Sequence, residues 1–305
     1  MHNTSYNKSI LLIGLGALGS RTAKLLCQKG VQLTFCDYDI VEEQNIVQQS
    51  LYTKEDIGLL KVDVAKKRLR ALFPATMITT IAQPFSSDTD LSLYDIIIEG
   101  TDSLTTRLLI NDAAKKYDKP LIIGAASKTA GMCFTVTTTP NTPCWQCIVL
   151  GKMSVDDCAT GVETTTLNTV AQQQVFAAKQ LCDNTLVLIN NNDTQQILVK
   201  QNPLCNACKG NYRYLTAVFS LNYCQSRNRL QAKPNKPQLI DLALVKQQAH
   251  VQRANVLHDY GSALIIQLGH GTVLVHRHGS FEFEQVPEAQ AKQFVKNILE
   301  NASCQ

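Results

Sequence analysis

Apolar and polar positions recur in two registers along the first two-thirds of the chain. Ser9–Ile13 is a mostly apolar run that stops at Gly14-Leu15-Gly16-Ala17-Leu18-Gly19. Residues 17–28 then set Leu18, Ala23, Leu25 and Leu26 at helical spacing, with Gly30 as a stop. Residues 31–36 read as a second strand, closed by Asp37-Tyr38-Asp39. A strand, a glycine turn, a helix, a second strand and an acidic residue 18 positions past the last glycine form a Rossmann-type half. Right-handed crossovers and a parallel sheet follow from that pattern.

The same periods continue. Residues 62–72 read as a basic amphipathic helix ended by Pro74, and residues 77–82 and 94–98 as strands. The second of these is nearly all apolar, as a parallel strand covered on both faces must be. Helices are predicted over 105–117 and 165–181, strands over 120–125 and 133–138, and a hairpin over 186–189 and 196–199. Beyond Gly210 the texture changes to short strand-like runs (214–222, 263–268, 272–276, 280–283) around helices near 239–251 and 287–299. The expected fold is therefore α/β: a Rossmann-like, mainly parallel sheet over residues 1–210 and a small α+β module over 211–305.

Two Cys-x-x-Cys pairs, Cys144-Trp-Gln-Cys147 and Cys205-Asn-Ala-Cys208, change this picture. Two intervening residues let a tight knuckle aim both sulfurs at one point, and Zn²⁺ takes four thiolates tetrahedrally. Such a site has no open position for water, so it clamps rather than catalyses. Binding on the order of 10 kcal/mol would fix the surrounding crossover region. Cys27, Cys36, Cys133, Cys182, Cys224 and Cys304 lack that spacing and read mostly as small buried residues. His250, His258, His270, His276 and His278 read as solvated or core histidines rather than a metal site.

Charge narrows the partners. The net charge of +4 is spread through a mixed pattern, so neither a nucleic-acid arm nor an acidic tail is expected. No apolar run is long enough to span a bilayer, and residues 1–8 lack the apolar stretch of a signal peptide. Eleven cysteines in that setting point to a reducing, cytoplasmic environment, where thiols hold metal.

Several short motifs now fall into one order: Gly14 to Gly19, Asp37-Tyr38-Asp39, Asn45-Ile46-Val47-Gln48-Gln49, Gly58-Leu59-Leu60-Lys61, Gly100-Thr101-Asp102-Ser103, Thr106-Arg107 with Asn111-Asp112, then the cysteine pairs. The chain resembles the ThiF/MoeB/HesA superfamily, the adenylyltransferases related to ubiquitin-activating enzymes, over roughly residues 8–210. The resemblance implies ATP and Mg²⁺, a small ubiquitin-fold carrier protein ending in Gly-Gly, an acyl-adenylate on its terminal glycine, and a homodimer. It assigns the nucleotide to Gly14, Gly16, Gly19, Asp37, Asp39, Asn45, Gln48, Lys61, Asp102 and Ser103. Lys61 would neutralise phosphate, and Asp102 would hold the metal or orient the triphosphate. Taken singly, Lys61 reads as a surface lysine in a turn and Asp102 as a helix cap; only the combination favours the site.

Cys158 aligns with a crossover-loop cysteine that takes the carrier as a thioester or persulfide-linked adduct in some relatives. Its other reading is a small residue in a loop. The chain departs from the resemblance at Gln48, where the family motif carries an arginine whose charge would offset the reacting phosphates. The N-terminal segment that often sends another arginine across the dimer is also not found before the first strand. Arg21, on the glycine-loop helix, is a candidate to compensate. Two alternatives remain open at this level: a catalytically weakened carrier- or nucleotide-binding homologue, favoured by Gln48, and a tRNA-directed cyclic-dehydratase-like relative. The zinc knuckles and the lack of a basic stripe oppose the latter.

Overall fold

The computed structural model describes residues 8–28, 31–149, 162–190, 193–217, 219–224, 229–234, 239–251, 254–261, 263–277 and 279–301. The chain divides into two compact units, Met1–Phe85 with Thr89–Leu215, and Ser86–Asp88 with Thr216–Gln305. In chain order the elements that build the first are β1 (Ser9–Ile13), α1 (Ala17–Cys27), β2 (Gln32–Cys36), α2 (Glu43–Ile46), α3 (Lys61–Leu72), β3 (Ile78–Ile81), β4 (Ile96–Glu99), α4 (Leu104–Lys116), β5 (Leu121–Ser127), β6 (Ala130–Val136), α5 (Trp145–Val149), α6 (Thr164–Lys179), β7 (Thr185–Asn190), β8 (Asp193–Leu198) and α7 (Arg213–Thr216).

Its eight strands lie in the order β3-β2-β1-β4-β5-β6-β7-β8. β3 to β5 pair in parallel, whereas β5 to β8 pair antiparallel. The switch has a local cause. Parallel neighbours need a long crossover, but β5 and β6 are joined by a tight turn with Lys128 at φ 49°. β1 is apolar throughout its buried stretch because both of its faces are covered. Ile10 and Leu12 pack with residues of α1, α3 and α6, while Leu11 and Ile13 pack with residues of α4 and α5. Each fully buried side chain of this size stabilises the fold by roughly 1.5–3 kcal/mol.

The second unit is a six-stranded antiparallel sheet, β11-β12-β13-β14-β10-β9, with two helices. Its elements are β9 (Phe219–Cys224), β10 (Arg229–Pro234), α8 (Leu242–Val251), β11 (Val256–Asp259), β12 (Ala263–Leu268), β13 (Gly271–His276), β14 (Phe281–Glu284) and α9 (Glu288–Asn301). Phe281 and Phe283 meet the edge of Phe294 from α9 at the centre of its core. The strand expected from residue 214 starts instead at Phe219, because the Tyr214 N–H is drawn to Asp112 on α4 and residues 213–216 close one helical turn. Among the described residues no helix is long and apolar enough to cross a membrane.

Candidate nucleotide crevice and thiol cluster

β1 and β4 are neighbours although β2 and β3 intervene in sequence, so the sheet order reverses between them. Ligands of open parallel sheets bind outside the carboxyl ends of the strands at such a point. Here the glycine loop leaves β1. Gly14 has φ +88°, a backbone region that disfavours side chains, and its N–H donates to the Cys36 carbonyl. A Cβ on Gly19 would stand 1.9 Å from the Gly14 carbonyl oxygen, so this glycine is required for close packing of α1 on the loop. Over Gly16, at the N-cap of α1, nothing lies within 4 Å of the corresponding position. The three glycines thus divide their tasks. Gly14 and Gly19 shape the loop, and Gly16 leaves a bare helix end, the arrangement that lets a phosphate approach backbone N–H groups.

Asp37 sits at the end of β2 and is buried rather than solvated. Its Oδ2 accepts from Leu15 N at 2.6 Å and its Oδ1 from Asp39 N at 2.8 Å. Tyr52 Oη donates to the Leu15 carbonyl at 3.0 Å, so the loop is held from two sides. Burial, then Asp39, pushes the Asp37 carboxyl above its ordinary range, against the opposing pull of Lys61. Lys61 opens α3 beside this group: its N–H bonds the Asp39 carbonyl and its Nζ meets Asp39 Oδ2 at 2.9 Å. Burial alone would lower the Lys61 pKa, yet the two aspartates raise it above the usual lysine range, so it stays charged.

On the other side of the crevice, Gly14 packs against Gly100 and Thr101 from the loop after β4. Asp102 follows them, exposed and, among the described residues, without a hydrogen bond or ion pair. Ser103 Oγ, not Asp102, caps α4 by accepting from Thr106 N. Gln48 is half-buried, and its carbonyl accepts from Arg21. The backbone of Asn45 lies in α2, while its side chain and Cys158 fall outside the described residues. Gly14, Gly16, Gly19, Asp37, Asp39 and Lys61 are therefore linked through hydrogen bonds and packing, with Asp102 and Ser103 next to Thr101 on the facing loop.

Sequence reasoning missed the polar frame beneath this crevice. Glu99, fully buried at the end of β4, accepts from Arg107 Nε at 2.6 Å and from Thr101 N at 2.7 Å. Burial pushes its carboxyl up, and Arg107 and Thr101 pull it back. Gln174 of α6 donates from Nε2 to the Glu99 carbonyl and accepts from Thr22 of α1. This chain of bonds fixes α1, β4, α4 and α6 around the glycine loop. An acidic residue ending an otherwise apolar strand, with Thr101 and Arg107 two and eight positions on, was the available signal; Gln174, 75 positions away, had none.

The four predicted thiols converge. The ligand sulfurs of Cys144, Cys147, Cys205 and Cys208 all lie within 4.8 Å of one another, with Cys144–Cys205 at 3.5 Å and Cys147–Cys208 at 3.6 Å. A tetrahedron with Zn–S bonds of about 2.3 Å has edges of about 3.8 Å, and all four cysteines are free thiols. The donor set and spacing fit zinc. Asn111 and Asp112 of α4 brace the cluster. Asn111 Oδ1 accepts from Trp145 N at 2.9 Å, and its Nδ2 lies 3.7 Å from Cys144 Sγ. Asp112 accepts from Gln146 inside the first knuckle and from Tyr214 N after the second. Trp145 carries the Arg107 guanidinium 5.4 Å above its ring, which joins the two sites through one side chain. Among the described residues no histidine joins a metal-type cluster.

Comparison with known proteins agrees with this frame. The ThiF family model matches residues 4–220. Over 146 residues, 47% of this chain, the protein is 35% identical to the adenylyltransferase and sulfurtransferase MOCS3 of Drosophila virilis. It is 34% identical over 145 residues to the sulfur carrier protein ThiS adenylyltransferase of Bacillus subtilis. The matched stretch spans 32% and 43% of those relatives' own lengths. Escherichia coli MccB, crystallised with ATP, is similar with a TM-score of 0.55 at 17% identity, over 67% of each chain. That is a likeness of fold. With the family model covering well over half of its residues, the chain belongs to the ThiF family.

Proposed function

We propose that the protein is an ATP-dependent adenylyltransferase that activates the C-terminal glycine of a small ubiquitin-fold or sulfur-carrier protein. The observation that carries this reading is the bare helix end at Gly16, in a loop tied through Asp37 to the Lys61–Asp39 ion pair and packed on Thr101, next to Asp102, whose carboxylate has no partner among the described residues. Family membership and the names of the relatives supply the chemistry. In the reaction, a carrier carboxylate oxygen attacks the α-phosphorus of ATP, the bond to the bridging oxygen breaks, and pyrophosphate leaves with that electron pair. No proton must be removed from the nucleophile, because a carboxylate is already ionised at neutral pH.

Two anions must meet in this step, so positive charge matters more than a general base. The N–H groups at the start of α1 and the Lys61 ammonium face that requirement. Mg²⁺, held by the Asp102 carboxylate, would neutralise phosphate oxygens. Zinc at the four thiols would be structural. The homodimer implied by the resemblance belongs to the same proposal, and light scattering on the purified protein tests it. Transfer of the activated carrier to Cys158 is an extension, tested by a thiol-labile adduct that Cys158→Ala should abolish.

Pyrophosphate exchange into ATP, run with candidate carriers ending in Gly-Gly, tests the main reading. Exchange that depends on the carrier and its intact terminal glycine is expected. ATP binding without exchange would favour a binding protein that kept the fold, the reading to which Gln48 gives support.

A further inference from the structure

Arg21 is the fifth residue of α1 and is only 9% exposed. Helical side chains lean toward the N-terminus, and this one reaches back beside the glycine loop. Its Nη1 donates to the carbonyls of Ala17 and Gln48, both at 2.6 Å, and its Nε to Asn168 Oδ1 on α6 at 3.1 Å. All three acceptors are neutral. Among the described residues no carboxylate pairs with the guanidinium, and Nη2 has no acceptor. Burial alone holds its pKa below the usual arginine range, and arginine remains charged under such conditions.

A buried charge without a counterion is strongly destabilising, and proteins rarely keep one without use. One further observation shows where an anion has room. Nothing fills the space over Gly16, one turn away on the same helix.

We propose that Arg21 binds the phosphates of ATP and the departing pyrophosphate, supplying from α1 the guanidinium that the family motif carries at position 48. The arginine has been transposed rather than lost: it rests on the backbone of the very residue that replaced it. This inference rests on the nucleotide reading above and deepens it by naming the cation at the phosphates. Asn168 and the Gln48 carbonyl hold the guanidinium in place, so it meets the anion already oriented.

Calorimetric titration of the full-length protein tests the assignment, using Mg-ATP, inorganic pyrophosphate and AMP as separate probes. Arg21→Met should weaken ATP and pyrophosphate by about tenfold or more, the loss of a charge-assisted hydrogen bond. AMP affinity should change by less than about twofold, because the effect belongs to the outer phosphates. The double variant Arg21→Met with Gln48→Arg should regain most of the lost pyrophosphate affinity. Equal losses for all three probes would mean a structural role and would overturn the proposal, as would pyrophosphate affinity unchanged in Arg21→Met. If Arg21→Met does not fold, Gln48→Arg alone decides: a larger ATP-induced rise in Tm than in wild type is expected, and an unchanged rise overturns the proposal. Wild-type protein that binds neither ATP nor pyrophosphate would overturn the nucleotide reading together with this one.

Discussion

The thiol cluster and the proposed nucleotide crevice are built from opposite kinds of incompleteness. At the cluster, four sulfurs already stand at metal-binding distances and the polar groups that brace them are paired, Asn111 with the Trp145 backbone and Asp112 with Gln146 and Tyr214, although Trp145 Nε1 is buried without an acceptor among the described residues. One dication would finish it. In the crevice the frame is just as fixed, through Asp37, Glu99 and Gln174, but the groups at the surface are not satisfied by one another. Gly16 faces open space, and among the described residues Asp102 has no partner and Arg21 no counterion. A site that needs only an ion is a clamp. A site whose charges, donors and acceptors are left open in several places is shaped for a larger, polar, exchangeable ligand.

Four experiments would break or sharpen this contrast. The largest effect is expected from Cys205→Ser, which removes one of four ligands and with it most of a metal contribution on the order of 10 kcal/mol. Zinc content by emission spectrometry should fall from one equivalent toward none, and Tm should drop by at least about 10 °C. Freshly purified wild-type protein without zinc, or a variant melting at the wild-type temperature, would refute the clamp.

Next comes Arg107→Met, which strands the fully buried Glu99 and removes the cation above Trp145. Leaving one member of a buried pair alone costs about 3–5 kcal/mol. Urea unfolding should show that loss. A change of less than about 1 kcal/mol would mean that the pair does not join the two regions energetically.

The third effect is a pH dependence near the cluster. Burial pushes the Asp112 carboxyl up to about 6, against the opposing pull of the Tyr214 N–H. The folded state therefore holds this proton more tightly than the unfolded chain does. Stability from this group is present below the ordinary carboxylate range and is lost as pH rises through about 6. Wild-type stability measured relative to Asp112→Asn should fall by roughly 2 kcal/mol between about pH 4 and pH 7. A constant difference across that range would remove Asp112 from the account.

The smallest change in stability is expected at Gly16, for which Gly19 is the control. Gly16→Ala should alter unfolding free energy by about 1 kcal/mol or less yet weaken ATP binding, since its methyl group enters open space. Gly19→Ala should cost about 3 kcal/mol through collision with the Gly14 carbonyl. Equal stability losses for the two would contradict the division of tasks within the loop.

How much of this could be read from the chain depends on sequence distance. β1 and β4 were legible because strands covered on both faces lose their polar positions, and β2 because its polar Gln32 and Thr34 alternate with buried Leu33 and Phe35. The four cysteines were legible because their spacing encodes a geometry. The bonds that hold Arg21 and Asp112 were not, since their partners lie up to 147 and 102 positions away, at Asn168 and Tyr214; for Arg21 only the candidacy as a compensating cation could be read. α5 escaped notice because one turn of helix inside a cysteine knuckle has no periodicity to show. β10 and β11 were missed for a related reason: they belong to a sheet whose exposed residues carry mixed charge, so their alternation is blurred.

The spacing of the paired cysteines reaches beyond the folded molecule. Cys144 and Cys205 are 61 positions apart, and the intervening chain holds α6, β7 and β8. A covalent cross-link enclosing a loop of that size lowers the entropy of a denatured chain by an amount worth about 4 kcal/mol. A bound dication imposes the same restriction without any oxidant. Metal supply would then govern how readily the last strands of the sheet find their place during biosynthesis, and not only how long the finished protein survives.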